Sequence, residues 1–285
     1  MAIFQNQATL TYNGNVINSN VATGELQDVL TITKTTVTDT YALNDSVTYI
    51  VSIVNAGVTP YTGLTLTNDL GAYAFTGGTL VPLSYVTGSV QYYINGVQQT
   101  APTVTSANNL VISGINIPAN GNAMIIYEAT VNQYAPLNVA GRIVNTGQLT
   151  GMGIATALRD SATIYTARQA DLTISKSVSP EVVAPNGQLT YSFVIQNFGN
   201  TPATVTDDAV IRDTFNPILT NLTVAFNTNP WNAPANYTYN TATGLFVTNA
   251  GQITVPAATY TQDTTGGNWI ITPGVSTLTV TGTIV

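Results

Sequence analysis

The chain of 285 residues has no cysteine and no histidine, and only 7% of its residues are charged. Without cysteine there are no disulfides, thiolate metal sites or thiol nucleophiles. Without histidine the commonest general base and metal ligand are gone, and a serine hydrolase triad is excluded. Six bases against thirteen acids leave a net charge of −7, so no nucleic-acid partner is expected. No apolar run reaches the roughly 18 residues of a membrane-spanning helix, and no membrane insertion is expected. Met1 to Gln7 shows no basic region followed by an apolar stretch, so no secretory signal is visible. An enzyme is not expected, and neither is any cofactor or metal.

What is present is a β-protein's alphabet. Thr, Val and Tyr supply strands, while Gly, Asn and 13 Pro supply turns. Strand-length alternation recurs at Leu30–Lys34, Val47–Ile53, Leu64–Leu66 and Leu278–Val280. Asn13-Gly14, Asn95-Gly96 and Asn186-Gly187 suit tight turns, because both residues accept positive φ. No amphipathic helix is found, and many short strands between frequent turns point to β-sandwiches.

An internal repeat organises the chain. Leu30-Thr-Ile-Thr-Lys34 returns as Leu172-Thr-Ile-Ser-Lys176, and Val47–Gly57 returns as Leu189–Gly199 without a gap. Ile115–Ala119 returns as Ile253–Ala257. Copy one continues through Arg142–Leu149 and Ser161–Tyr165, two further strands. Copy two stops at Leu278–Ile284, the counterpart of 125–131, so its closing pair is not found behind it. A similar pair stands at the front. Asn6–Thr11 resembles Asn145–Thr150, Ser19 aligns with Ser161, and Gln27 aligns with Gln169. The expected organisation is a donor strand pair (1–26), a complete sandwich (27–168) and a sandwich lacking its closing strands (169–285). The simpler alternative makes residues 5–24 extra edge strands of the first sandwich.

Equal junctions, Ser19 to Leu30 and Ser161 to Leu172, place the front pair where another molecule's second sandwich would sit. A head-to-tail contact that does not close into a ring generates a filament. A donated strand supplies ladder hydrogen bonds and core side chains together. Phe4, Ala8 and Leu10 share one strand face and are the expected core residues of the donor.

Lys34, Val47-Thr-Tyr49, Asn55-Ala-Gly57 and Leu66-Thr-Asn-Asp69, repeated from Lys176 to Asp213, resemble the conserved repeat domain of unknown function found in tandem in Gram-positive surface proteins. The resemblance covers roughly residues 25–285. It implies immunoglobulin-like sandwiches and a structural or adhesive role at a bacterial or spore surface. No sortase motif of the Leu-Pro-x-Thr-Gly type is visible, which departs from that family's usual attachment.

The only two lysines, Lys34 and Lys176, occupy one repeat position. Each shares strand parity with apolar neighbours, so both amines are expected to face the core. A buried unpaired ammonium is costly and needs a partner or loses its proton. Asn145 and Asn6 face inward by the same parity. Lysine on a first strand with asparagine on a last strand resembles the spontaneous isopeptide bonds of Gram-positive pilins and adhesins, in which a buried carboxylic acid assists. That resemblance implies an intermolecular set of Lys176, Asn6 and Asp213, and an intramolecular set of Lys34, Asn145 and Asp69. Asp213 has the inward parity of Ile211. In copy one the matching inward position is Asn68, so Asp69 would need a bulge, or Glu128 would serve instead. The alternative for either lysine is an ordinary ion pair at the sheet edge. Asp207-Asp208 has no calcium-loop spacing and reads as a solvated turn.

The expected function is a fibre subunit that polymerises with itself head to tail. The alternative is a monomeric cell-surface adhesin or stalk binding carbohydrate (a glycan or other surface ligand) or a host protein.

Overall fold

The computed structural model describes residues 2–26 and 29–284. Gln27, aligned above with Gln169, lies outside them. The described residues contain strands, one short 3-10 turn at Val205–Asp207 and no α-helix. There are two separate hydrophobic cores, each enclosed by sheets. The tandem sandwich architecture read from the repeat is the one observed.

The first core lies between two six-stranded sheets. One runs Val97–Gln99, Gln91–Ile94, Gly121–Val131, Ser46–Asn55, Leu30–Thr36, with Leu83–Tyr85 paired to Gly121–Val131. The other runs Thr103–Ser106, Leu110–Ile117, Tyr61–Asn68, Arg142–Thr150, Leu158–Thr166, Thr40–Tyr41. Alternation does the sorting: Val47, Tyr49, Val51 and Ile53 are buried while the residues between them are not.

The second core repeats the first sheet in the order Leu172–Ser179, Gln188–Asn197, Gly274–Ile284, Leu219–Phe226, Asn229–Trp231. Its opposing sheet is reduced to Arg212–Thr214, Leu245–Thr248 and Tyr237–Asn240. Among the described residues nothing corresponds to Arg142–Thr150 or Leu158–Thr166. Arg212–Thr214 is therefore an edge, whereas its counterpart Tyr61–Asn68 is paired on both sides.

The repeated Asn-x-Gly has a structural job that both copies share. Asn55 Nδ2 donates to the carbonyls of Thr59 and Pro118, and its Oδ1 accepts the Gly57 N–H. Asn197 makes the same bonds to Thr201, Pro256 and Gly199. A buried amide that satisfies three backbone groups fixes the loop after the strand.

Domain two carries one element that domain one lacks. Between Ala258 and Gly274, where domain one passes directly from Asn120 to Gly121, it inserts the hairpin Thr259–Gln262/Trp269–Thr272. Tyr260, Trp269 and Ile271 of this hairpin pack against the first core. Gln262 Nε2 donates to the Tyr73 hydroxyl at 2.8 Å.

Residues 2–26 form an arm of two paired segments, Ala2–Asn6 with Ala22–Leu26 and Thr9–Tyr12 with Asn15–Asn18. Asn13 and Gly14 take φ 47° and 80°, and Asn95 and Gly96 take 49° and 79°, as expected for the hairpin turns. At Asn186-Gly187 a tight turn is present as well, closed by the Gly187 N–H on the Ala184 carbonyl at 2.8 Å, but only Asn186 has positive φ. Gly187 is needed for close approach instead: a Cβ there would meet Val183 Cγ2 at 2.4 Å and the Ala184 carbonyl oxygen at 2.7 Å.

Candidate functional site

The repeated lysine position exists in a filled and an open version. In domain one, Lys34 points between the sheets and is 4% exposed. Its Nζ donates to Asn145 Oδ1 at 2.7 Å, and Asn145 Nδ2 donates to the Tyr127 hydroxyl at 3.1 Å. The Tyr49 and Tyr127 rings stack with centroids 5.4 Å apart, and Nζ lies 4.9 Å from the first and 5.7 Å from the second. Rings and one amide oxygen replace water poorly. Burial accordingly draws the Lys34 pKa down to about 7, against the opposing fields of Asp69 and Asp160.

Neither acid reaches the amine. Asp69 Oδ1 accepts the N–H groups of Gly71 and Thr146 at 2.9 and 2.8 Å. Asp160 Oδ2 accepts the backbone N–H of Lys34 at 2.6 Å. Among the described residues the only salt bridge is in domain two. The inward station is held by Asn68, fully buried, whose Oδ1 accepts the Leu70 N–H at 2.9 Å and whose Nδ2 has no partner. Glu128, the other acid considered for this site, is exposed on the outer face between buried Tyr127 and Ala129. Strand alternation turns it away from the core.

In domain two the same strand face carries Lys176, whose Nζ forms an ion pair with the Asp213 carboxylate. The Tyr191 ring centroid is 4.2 Å from Nζ, and those of Phe193 and Phe215 are 5.5 Å away. Among the described residues no strand covers this group. Leu172 is 37% exposed where its counterpart Leu30 is 6%, and Ile174 is 55% exposed. A groove of about 320 Å³ runs here, lined by Ile174, Lys176, Phe193, Val210, Ile211 and Asp213 among others. The expected inward direction of both lysines is observed, but only Lys34 is enclosed; the Lys176 side chain is 39% exposed. In domain one, Arg142–Thr150 and Leu158–Thr166 occupy the corresponding space.

The arm stands apart. Among the described residues its hydrogen bonds stay within residues 2–26, and Phe4, Asn6, Ala8 and Leu10 are all exposed. Leu10 lies opposite Ile17 in the register, and Asn6 opposite Ala22. Ile3, Tyr12, Val16, Ile17 and Val21 are exposed as well. Asn6 does not line the groove of Lys176 in the same chain.

Two features of these surroundings escaped the sequence. The hairpin of residues 259–272 was invisible because the repeat loses its alignment between Ala257 and Leu278. Asp207 bonds the Thr204 N–H and closes the 3-10 turn, a cap that the spacing Thr-x-x-Asp signals.

No family model matches the chain, and no curated protein matches it. Among solved structures, the chain is similar to a 35 kDa C-terminal fragment of the major pilin of Streptococcus agalactiae, with 12% identity over 87% of this chain and 91% of that one, at a TM-score of 0.36. It is similar to the major pilin subunit of Bacillus cereus, with 9% identity over 96% of this chain and 73% of that one, at a TM-score of 0.38. A collagen-binding domain from a Staphylococcus aureus adhesin shares 11% identity over 48% of this chain and 99% of its own length, at a TM-score of 0.30.

Proposed function

We propose that this chain is the structural subunit of an extracellular fibre, at a bacterial or spore surface, in which the arm of one copy closes domain two of the next. The carrying observation is the pairing of two unfinished surfaces. Domain two presents an unpaired edge and a groove of mixed apolar and charged lining where domain one has two strands, and the arm presents exposed apolar side chains that belong to neither core.

The register follows from domain one. There Leu149 pairs with Leu66 and Gly147 with Asn68. Ile211 and Asp213 hold the stations of Leu66 and Asn68, so a donated strand sets Leu10 beside Ile211 and Ala8 beside Asp213. Alanine fits the glycine station: a Cβ at Gly147 meets Leu66 Cδ1 at 3.4 Å and Lys34 Cδ at 3.7 Å, ordinary contacts. Phe4 takes the place of buried Ile143, and Asn6 that of Asn145. Each large side chain covered in this way contributes on the order of 1.5–3 kcal/mol, and the free edge of Arg212–Thr214 gains its missing ladder.

Closing the groove also removes water from Lys176 and Asp213. A desolvated ion pair is destabilised relative to the neutral amine and acid, so the proton passes from the ammonium to the carboxylate. The amine then attacks Cγ of Asn6 while the Asp213 acid protonates the carbonyl oxygen. The attacking nitrogen gives a proton to Asp213 and the departing nitrogen takes one from it, so collapse expels ammonia and leaves Asp213 as the neutral acid, holding the proton that the ammonium brought. One C–N bond forms and one breaks, with no co-reactant, and the joint becomes covalent.

Deletion of residues 2–26 tests the assembly. Electron microscopy is expected to show long filaments for the full chain and monomers for the deleted one. A synthetic peptide of residues 2–24 is expected to bind the deleted chain at domain two. Normal filaments from the deleted chain would refute donor-strand assembly, and monodisperse rods from the full chain would favour the adhesin reading.

A further inference from the structure

The two lysine sites differ at one station. Asp213 stands in domain two where domain one has Asn68. The equivalence comes from the ladders: Asn68 lies two residues after buried Leu66 and pairs with Leu110, while Asp213 lies two residues after buried Ile211 and pairs with Phe246. Asn68 also faces Gly147, the next inward residue after Asn145 on its strand. It therefore borders the Lys34–Asn145 contact as Asp213 borders Lys176.

We propose that Asn68 is the residue that leaves Lys34 and Asn145 unlinked, so that cross-linking belongs to the joint between subunits and domain one is closed without a covalent bond. This rests on the role given above to Asp213. Amide formation needs a group that gives a proton to the carbonyl oxygen and takes one from the attacking amine. A carboxyl group does both, and a carboxamide does neither.

No other group in domain one substitutes for it. Asp69 and Asp160 are bonded to backbone N–H groups and form no ion pair with the amine. The Tyr49 hydroxyl pKa is pushed up to about 12 and that of Tyr127 well above its ordinary value, both by burial, which makes them poor proton donors. Nζ meets the amide at Oδ1, 2.7 Å away, which is a donated hydrogen bond. The pair has lysine, asparagine and burial in place, and the acid is missing.

The isosteric exchange Asn68→Asp supplies it at little structural cost. The Oδ1 that accepts the Leu70 N–H is retained, and the Nδ2 that is lost has no partner. The converse exchange, Asp213→Asn, gives the joint the composition of domain one.

Peptide mapping and intact mass of filaments test the proposal, because the chain has only Lys34 and Lys176 to map. The wild type is expected to yield a Lys176–Asn6 peptide and an unlinked Lys34. Asn68→Asp is expected to yield a Lys34–Asn145 peptide with one further ammonia lost per chain. Asp213→Asn is expected to assemble but to lose the Lys176 link. A Lys34–Asn145 peptide in the wild type would overturn the proposal, as would a folded Asn68→Asp chain, with unchanged circular dichroism, that gains no link. If the wild type is unlinked at Lys176, the joint chemistry fails separately. A Lys34 link gained by Asn68→Asp would then still uphold the role of Asn68.

Discussion

A lysine amine set beside two stacked tyrosine rings, with one amide oxygen for company, titrates far from its usual range. Burial draws Lys34 from 10.5 to about 7, so between those values the unfolded chain holds a proton that the folded chain has released. More protons on the unfolded state mean stability that rises with pH. The stability of the arm-deleted chain relative to its Lys34→Met variant is therefore expected to increase from pH 7 towards pH 10, by about 1.4 kcal/mol per unit. Urea midpoints of both chains across that range check it. A constant difference would mean that the amine is not free to titrate. At this scale strand parity was a sound guide: it gave the inward direction of Lys34, Asn145, Asn68 and Asp213. It could not give burial, because burial depends on what lies on top. Lys34 and Lys176 have the same local pattern, and only one of them has a covering strand. Gly187 shows a second limit, since close packing against Val183 and the Ala184 carbonyl leaves no trace in a dipeptide that reads as a hairpin turn.

Among the elements, the inserted hairpin Thr259–Gln262/Trp269–Thr272 has the clearest mechanical consequence. It belongs to domain two by sequence and to the first core by packing, through Tyr260, Trp269 and Ile271. Its turn residue Gly267 lies against Leu80, where a Cβ would meet Leu80 Cδ1 at 2.6 Å. Three partly buried apolar side chains contribute several kcal/mol of coupling, at about 1.5–3 kcal/mol for each when fully covered. The arm-deleted chain is thus expected to unfold in one transition. Replacing residues 258–273 by a single Asn, to copy the Asn120-Gly121 turn, is expected to split this into two. Differential scanning calorimetry distinguishes the outcomes, and one unsplit transition in the shortened chain would show that the hairpin does not couple the domains. Domain one has no such insertion, so a joint between subunits of the proposed fibre would lack this brace. The hairpin was not legible as a brace because alternation reports which face is apolar and is silent about which body that face meets.

For the whole molecule, the repeat carried most of the fold. An Asn-x-Gly that makes the same three backbone contacts twice, and sheets of matching order, follow from residues that the two copies share. What the repeat does not share proved equally informative: an edge at Arg212–Thr214, a groove beside Lys176, and an arm whose apolar residues are uncovered. Joined in trans as proposed, these would make each subunit the completion of another, in an open head-to-tail polymer. Cryo-electron microscopy of the filament tests this most directly, at a resolution that traces side chains. The account predicts density for the arm inside domain two of the neighbouring subunit, with Leu10 beside Ile211 and Asn6 continuous with Lys176. An arm lying against its own subunit, or a groove left empty along the filament, would contradict it.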